Sequence, residues 1–280
     1  MRRVTLSARD GLALSAAVWD GPAARTPILC LPGICRSTLD FADLGARHAH
    51  KRRVVALDYA GHGDSERAAD PARYAPFTLV RDVLDAMAAL HVHRAAVVGT
   101  SFGGLVSMAI SALRPGALAA VALNDIGPEI GGQGHGNVLE RLSRDVSFAT
   151  LDEATAYWRE VFPPNPFLDD EGWRSFADTT FAPAGDGRWR PRWDLRIARN
   201  AVGGEEPKPD LWAFFGGLVN VPLMLIWGEA SKLLERPTVE RMQRLRPDMT
   251  LVSLPGTGHA PTLTEKQTIR PLDAFLDAVA

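Results

Sequence analysis

A serine flanked by glycines stands between a short apolar run and a helix-like segment. In the stretch Gly99-Thr100-Ser101-Phe102-Gly103, the serine is the centre of a Gly-x-Ser-x-Gly pattern. A tight strand-to-helix turn holds its central residue in a strained backbone conformation, and a β-carbon at either glycine would collide with the crossing chain. The pattern is typical of a nucleophile elbow and predicts that Ser101 projects above a sheet, at the N-terminus of a helix.

His259 is the second residue whose position favours chemistry. It lies in the glycine- and proline-rich segment 255–261, just past the last predicted strand. In parallel sheets the carboxyl ends of the strands converge at the edge where ligands bind. His259 is therefore expected at the same edge as Ser101.

The elements that position these residues alternate between strands and helices. Buried strands are predicted at 27–31, 53–58, 118–123, 221–228 and 250–254, and one begins at Ala95; helices are predicted at 39–49, 77–90, 105–113, 238–245 and 265–279. The runs 4–8 and 12–19, joined by Asp10-Gly11, predict an antiparallel hairpin at the start. Strands and helices in this order require right-handed crossovers, which predicts an α/β fold with a mostly parallel central sheet and helices on both faces.

The composition changes after Gly127. Residues 131–136 are predicted to form a flexible loop, and the following segment has helical patches but no buried strand runs. Five of the seven tryptophans fall in it. We predict an inserted helical cap at 128–218 and a core domain formed by 1–127 and 219–280. Most of the aromatic side chains are expected to pack the cap, and a few to line an apolar pocket that faces the serine.

Composition and charge narrow the function classes. The chain of 280 residues is 46% hydrophobic and 23% charged with a net charge of -2, which indicates a soluble protein without a nucleic-acid surface. No apolar run approaches membrane-spanning length and no signal peptide is visible, so a cytoplasmic location without membrane attachment is expected. Cys30 and Cys35 are too few for a disulfide framework and are expected to be reduced. No metal, nucleotide or flavin motif appears, so we expect no cofactor, no metal and a small-molecule substrate.

A glycine-punctuated turn follows the strand at 53–58. No lysine and no clear helix start follow the turn at 58–65, so it is not a phosphate-binding loop. It is predicted to be structural and to pack beside the elbow. Its side chains His62 and Asp64 are predicted to be surface loop residues.

The order and spacing of these segments resemble the α/β-hydrolase family, in its serine-nucleophile, cap-bearing form. The match runs through Leu31-Pro32-Gly33, 58–65, Gly99 to Gly104, 123–128, Trp227-Gly228-Glu229 and 256–261. The resemblance implies that Ser101 is the nucleophile and His259 the base that removes its proton. It also implies that the backbone N–H groups of Ile34 and Phe102 form the oxyanion hole.

The sequence departs from the family pattern at the third member of the triad. An aspartate is expected a few residues after Trp227-Gly228, but the best-fitting position holds Lys232. A lysine cannot hold the imidazole tautomer, and its charge opposes the imidazolium of the transition state. Three alternatives stay open: Asp125 after the preceding strand, Glu229 with its longer side chain, or an altered enzyme without an acid. Asp125 is the preferred candidate, because neighbouring parallel strands deliver their C-terminal loops to the same edge.

The resemblance implies a hydrolase that cleaves a small carboxylic ester or lactone through a serine acyl-enzyme intermediate. A serine nucleophile excludes the dehalogenase and epoxide hydrolase chemistries of this fold, which need an aspartate. A carbon-carbon bond hydrolase acting on a ring-cleavage product is the alternative enzyme. A non-catalytic small-molecule receptor on a hydrolase fold is the other alternative, suggested by Lys232. Arg36, two residues past Ile34, is expected either to bind a substrate carboxylate or to form a surface salt bridge.

Overall fold

The computed structural model describes residues 1–198 and 209–280. The strands of the main sheet are β1 (Arg2–Ser7), β2 (Ala13–Trp19), β3 (Ile28–Leu31), β4 (Val54–Leu57), β5 (Ala95–Thr100), β6 (Leu118–Asn124), β9 (Leu223–Gly228) and β10 (Thr250–Leu254). A separate hairpin is formed by β7 (Phe181–Pro183) and β8 (Trp189–Pro191). The helices are α1 (Ala42–His48), α2 (Pro76–Ala89), α3 (Phe102–Leu113), α4 (Gly132–Ser143), α5 (Leu151–Val161), α6 (Asp170–Thr180), α7 (Leu211–Gly216), α8 (Arg236–Leu245) and α9 (Lys266–Asp277).

The main sheet of the described residues contains eight strands in the order β1-β2-β4-β3-β5-β6-β9-β10. The pairs β1/β2 and β2/β4 are antiparallel and the other neighbours are parallel. The predicted hairpin and the mostly parallel sheet are therefore confirmed. The order places β5 between β3 and β6, with β9 next to β6. The loops that follow these four parallel strands consequently share one edge of the sheet.

Helices cover both faces of this sheet, as predicted. Successive strand residues point to opposite faces, so Val97 and Val98 of β5 belong to different hydrophobic clusters. Helices α1 and α9 pack on the cluster that contains Val98, and α2, α3 and α8 pack on the one that contains Val97. Burial on both faces explains why the central strands read as continuous apolar runs.

The glycine-rich segment 131–136 is not the predicted loop, because α4 begins at Gly132. Two of its glycines, Gly131 and Gly134, serve close packing. A Cβ at Gly134 would lie 2.5 Å from the backbone of Lys232 and Leu233, and the N–H of Gly131 donates to the Leu233 carbonyl at 2.8 Å. Helix α4 therefore begins against the loop that follows β9.

The segment between β6 and β9 holds α4 to α7 and the β7–β8 hairpin, whose three-residue strands are too short to leave a buried strand signal in the sequence. Its aromatic side chains pack on one another, as predicted: the ring centroids of Phe162 and Phe176 are 4.8 Å apart, and Trp158 is 1% exposed.

The two cysteines are free thiols; Cys30 is buried and Cys35 is partly buried. Among the described helices, none is long and apolar enough to cross a lipid bilayer.

Candidate active site

Ser101 stands at the tip of a sharp turn between β5 and α3. Its backbone has φ +51° and ψ −114°, a conformation that costs a non-glycine residue about 1–3 kcal/mol. A Cβ at Gly99 would lie 2.5 Å from the Gly103 carbonyl oxygen, and one at Gly103 would overlap the Leu31 carbonyl. The predicted steric need for both glycines is confirmed.

Two hydrogen bonds link Ser101 to a buried carboxylate through an imidazole. His259 Nε2 lies 2.8 Å from Ser101 Oγ, and His259 Nδ1 lies 2.7 Å from Asp125 Oδ2. His259 is 8% exposed and Asp125 is fully buried. The structure thus brings together the three residues named from the sequence, although they come from the loops after β5, β6 and β10.

Asp125 is held in place by the neighbouring strand β9. Its backbone N–H donates to the Ile226 carbonyl at 2.8 Å, and its Oδ1 accepts from the Gly228 N–H at 2.9 Å. Its φ of +53° turns the chain sharply after β6. One carboxylate oxygen is therefore fixed by β9 and the other is left facing His259.

The two other residues weighed for this position lie elsewhere. The Glu229 side chain is 33% exposed and its nearest cation is Arg236, 4.0 Å away. Lys232 is exposed, and its backbone carbonyl accepts from Gly134 N–H at 3.2 Å. Asp125 is thus the carboxylate that the structure places against His259, and Lys232 is an exposed residue.

The backbone N–H groups of Ile34 and Phe102 are available to a ligand. Phe102 is the first residue of α3, and the first N–H groups of a helix have no partner within the helix. Among the described residues neither of these N–H groups donates a hydrogen bond to the protein. Ile34 lines the same cavity as Ser101. Their role as an oxyanion hole stays a prediction.

His62 is not the surface residue that the sequence predicted. It is fully buried, and its ring nitrogens face the carbonyl oxygens of Ala60, at 3.0 Å, and Ile34. Burial lowers the pKa of its imidazole. The prediction failed because a segment far along the chain covers this turn: the Gly63 N–H donates to the Arg192 carbonyl at 2.8 Å. Asp64 is a surface residue as predicted, 53% exposed at its side chain.

Arg36 lines the cavity but its guanidinium is already engaged. Its Nε donates to Asp40 Oδ2 at 2.8 Å, and its terminal nitrogens donate to Asp40 Oδ1 and to the hydroxyls of Thr179 and Thr180. The guanidinium carbon also lies 4.2 Å from the centroid of the Phe176 ring. Arg36 does form a salt bridge, with Asp40, but the expected surface location is wrong because the Arg36 side chain is only 6% exposed. The arrangement joins the loop after β3 to α6 and gives no support to carboxylate binding by Arg36.

A cavity of about 390 Å³ opens above Ser101 and His259. Apolar side chains of the segment between β6 and β9, such as Val138 and Phe162, form part of its wall, as do Cys35 and Arg141. Sequence reasoning missed Arg141, whose only signal was a cation on the face of α4 that also carries Val138. Among the described residues, no group of three or more His, Cys, Asp or Glu side chains could hold a metal ion.

The fold agrees with comparisons to known proteins. Residues 28–278 match the model of a family described as the alpha/beta hydrolase family. The chain belongs to the alpha/beta hydrolase family. A solved alpha/beta hydrolase from Novosphingobium aromaticivorans superposes with a TM-score of 0.93 at 34% identity, over 99% of this chain and 98% of that one.

Two curated relatives of this alpha/beta hydrolase are named as hydrolases. A 3-hydroxybutyrate-oligomer hydrolase from Cupriavidus necator is 29% identical over 90% of this chain and 88% of the relative. A 2-(acetamidomethylene)succinate hydrolase from Mesorhizobium japonicum is 26% identical over 90% of this chain and 88% of the relative. The protein is accordingly a hydrolase.

Proposed function

We propose that this alpha/beta hydrolase cleaves a small carboxylic ester or lactone, with Ser101 as nucleophile. The observation that carries the proposal is the continuous pair of hydrogen bonds from Ser101 Oγ through His259 to the buried Asp125. A serine hydroxyl needs a base to become a nucleophile, and a base needs a partner that holds its tautomer. These residues have the contacts that both roles require.

In the first half of the proposed reaction, His259 Nε2 takes the proton from Ser101 Oγ while the oxygen attacks the substrate carbonyl carbon. The negative charge that develops on the carbonyl oxygen is stabilised by the backbone N–H groups of Ile34 and Phe102. The imidazolium then gives its proton to the leaving alkoxide, and the ester C–O bond breaks. An acyl-Ser101 ester and a free alcohol result.

In the second half, His259 takes a proton from water as the water oxygen attacks the acyl carbon. The bond to Ser101 Oγ breaks, the serine recovers the proton from His259, and a carboxylic acid leaves. Asp125 keeps its negative charge throughout and stabilises the imidazolium at each stage. For a lactone, the alcohol and the acid are parts of one product.

One of the relatives supports ester chemistry. Oligomers of 3-hydroxybutyrate, which the Cupriavidus necator relative is named for, are joined by ester bonds. A carbon-carbon bond hydrolase remains the alternative enzyme, since the same serine would serve it. The receptor alternative loses its basis, because Lys232 lies in solvent and Asp125 contacts His259.

The proposal is tested with a panel of chromogenic esters and lactones of varied acyl length, together with a fluorophosphonate probe. We expect ester turnover in the wild type, its loss in Ser101→Ala, and labelling that maps to Ser101. Labelling of Ser101 without turnover of any ester or lactone would favour carbon-carbon bond hydrolysis. Absence of both would refute a serine hydrolase of either kind.

A further inference from the structure

Arg141 is a cation in the wall of the cavity that has no counter-ion in the described part of the protein. It lies on α4 and lines the same cavity as Ser101 and His259. Its Nε is buried without a hydrogen-bond partner. Its guanidinium carbon lies 5.5 Å from the centroid of the Phe162 ring, a contact that leaves the N–H groups without an acceptor.

Among residues 1–198 and 209–280, the acidic groups near Arg141 are engaged elsewhere or are exposed. Asp40 is held by Arg36, and Glu140 pairs with Arg144 at 2.5 Å. Asp43 and Glu171, which also line the cavity, are exposed. The thiol of Cys35 stays neutral near pH 7, because burial raises its pKa. None of these groups forms an ion pair with Arg141 among the described residues.

The Arg141 side chain is partly exposed, but its Nε is buried, and a buried donor without an acceptor costs about 1–3 kcal/mol. Burial lowers the pKa of the Arg141 guanidinium, yet an arginine remains charged in proteins. Arg36 shows the contrast within the same cavity: its charge is balanced by Asp40 and its donors are occupied. No described residue supplies a partner for Arg141, and the cavity that it lines gives a ligand access to it.

We propose that Arg141 binds a carboxylate carried by the substrate, so that the preferred substrates are esters that keep a free carboxylate away from the scissile bond. The planar guanidinium donates two parallel hydrogen bonds to a carboxylate, and the desolvated wall strengthens them. Binding at Arg141 would fix the substrate chain across the cavity with its ester at Ser101. This inference rests on the proposed ester hydrolysis and narrows its substrate class.

The test compares two p-nitrophenyl esters of nearly equal length, the hemiglutarate with a terminal carboxylate and the pentanoate with a terminal methyl. We expect wild-type kcat/KM to favour the hemiglutarate, and Arg141→Gln to lower that preference by about 10- to 100-fold, chiefly through KM of the acidic ester. Arg141→Lys, which keeps the charge, should retain part of the preference. Arg144→Gln is the matched control, since Arg144 follows directly after α4 and pairs with Glu140; turnover of both esters should be unaffected.

An equal ratio of the two kcat/KM values in the wild type and Arg141→Gln would overturn the inference while leaving ester hydrolysis standing. A second measurement needs no variant: glutarate should inhibit wild-type turnover of the pentanoate more strongly than uncharged pentanamide, and equal inhibition would count against Arg141. If no ester or lactone of the panel is turned over, the proposed function fails, and glutarate binding is measured by calorimetry instead. Binding that is lost in Arg141→Gln and partly retained in Arg141→Lys supports the carboxylate site. Binding that is unchanged in Arg141→Gln, or no binding to the wild type, overturns it.

Discussion

The replacement Asp125→Asn tests the residue at which the site departs from the family pattern. Asparagine has the shape of aspartate but carries one amide oxygen and one NH₂ group. The Gly228 N–H donates to Oδ1 of Asp125 at 2.9 Å, so it fixes the amide oxygen at that position. The NH₂ group then takes the place of Oδ2, which lies 2.7 Å from His259 Nδ1.

A donor facing Nδ1 reverses the tautomer of His259. Nδ1 must accept, so the ring proton moves to Nε2, which lies 2.8 Å from Ser101 Oγ. A protonated Nε2 cannot take the serine proton. The expected loss in kcat is about 10⁴-fold, the size typical of losing the acid of such a triad. It corresponds to about 5.5 kcal/mol in the activation barrier.

The assay is steady-state hydrolysis of a p-nitrophenyl ester, together with the rate of Ser101 labelling by a fluorophosphonate. Glu229→Gln and Lys232→Gln are the matched controls, because both side chains lie on the loop after β9 and away from His259. Both controls should keep wild-type turnover and labelling. Wild-type turnover in a folded Asp125→Asn, or a comparable loss in Glu229→Gln, would refute the reasoning.

Two further predictions concern stability. Burial raises the pKa of Asp58 from 3.8 to about 6, so the folded state binds the Asp58 proton more tightly than the unfolded state does. This contribution to the free energy of unfolding is complete below pH 3.8 and is lost as the pH rises through 6. Relative to Asp58→Asn, the wild type should therefore lose about 3 kcal/mol of unfolding free energy between about pH 4 and pH 7, measured by urea unfolding. Parallel pH curves for the two proteins would contradict this. Arg36→Gln leaves the Asp40 carboxylate without its cation and should cost about 3–5 kcal/mol, whereas Arg2→Gln, at an exposed pair, should change little. Unchanged stability in Arg36→Gln with a raised KM for acidic esters would show that Arg36 serves the substrate instead.

The sequence allowed the sheet to be predicted well because its central strands are buried on both faces. Burial of this kind requires continuous apolar runs, and such runs are visible in the chain without knowledge of tertiary contacts. The elbow was predictable from its glycines. A β-carbon at Gly99 would clash with the backbone of Gly103, which is close in sequence, and one at Gly103 would clash with Leu31 of the neighbouring strand β3.

The failures occurred where burial depends on distant segments. His62 is covered by chain near Arg192, about 130 residues later, so its local turn gave no sign of it. The glycines at 131–136 indicated a loop, but two of them, Gly131 and Gly134, allow α4 to approach the backbone of the loop after β9. Local composition cannot tell a glycine that provides freedom from one that provides room.

The choice of carboxylate shows what topology alone can and cannot decide. Strands β6 and β9 are neighbours with Asn124 opposite Ile226, so the residues that follow both strands emerge side by side. Topology therefore left Asp125 and Glu229 as rivals. The decision came from the backbone: at φ +53°, Asp125 turns to place one oxygen on the Gly228 N–H and the other on His259.

The same limit applies to the two arginines of the cavity, and it bears on substrate selection. Arg36 is close in sequence to the predicted oxyanion position, which made it the natural candidate for a substrate carboxylate. Its charge is already neutralised by Asp40 and its donors are used by threonines of α6. Arg141 is more than a hundred residues away in the chain, yet its buried Nε lacks an acceptor among the residues that the structure describes. Availability of charge, and not proximity in sequence to the nucleophile, is what should decide which arginine selects the substrate.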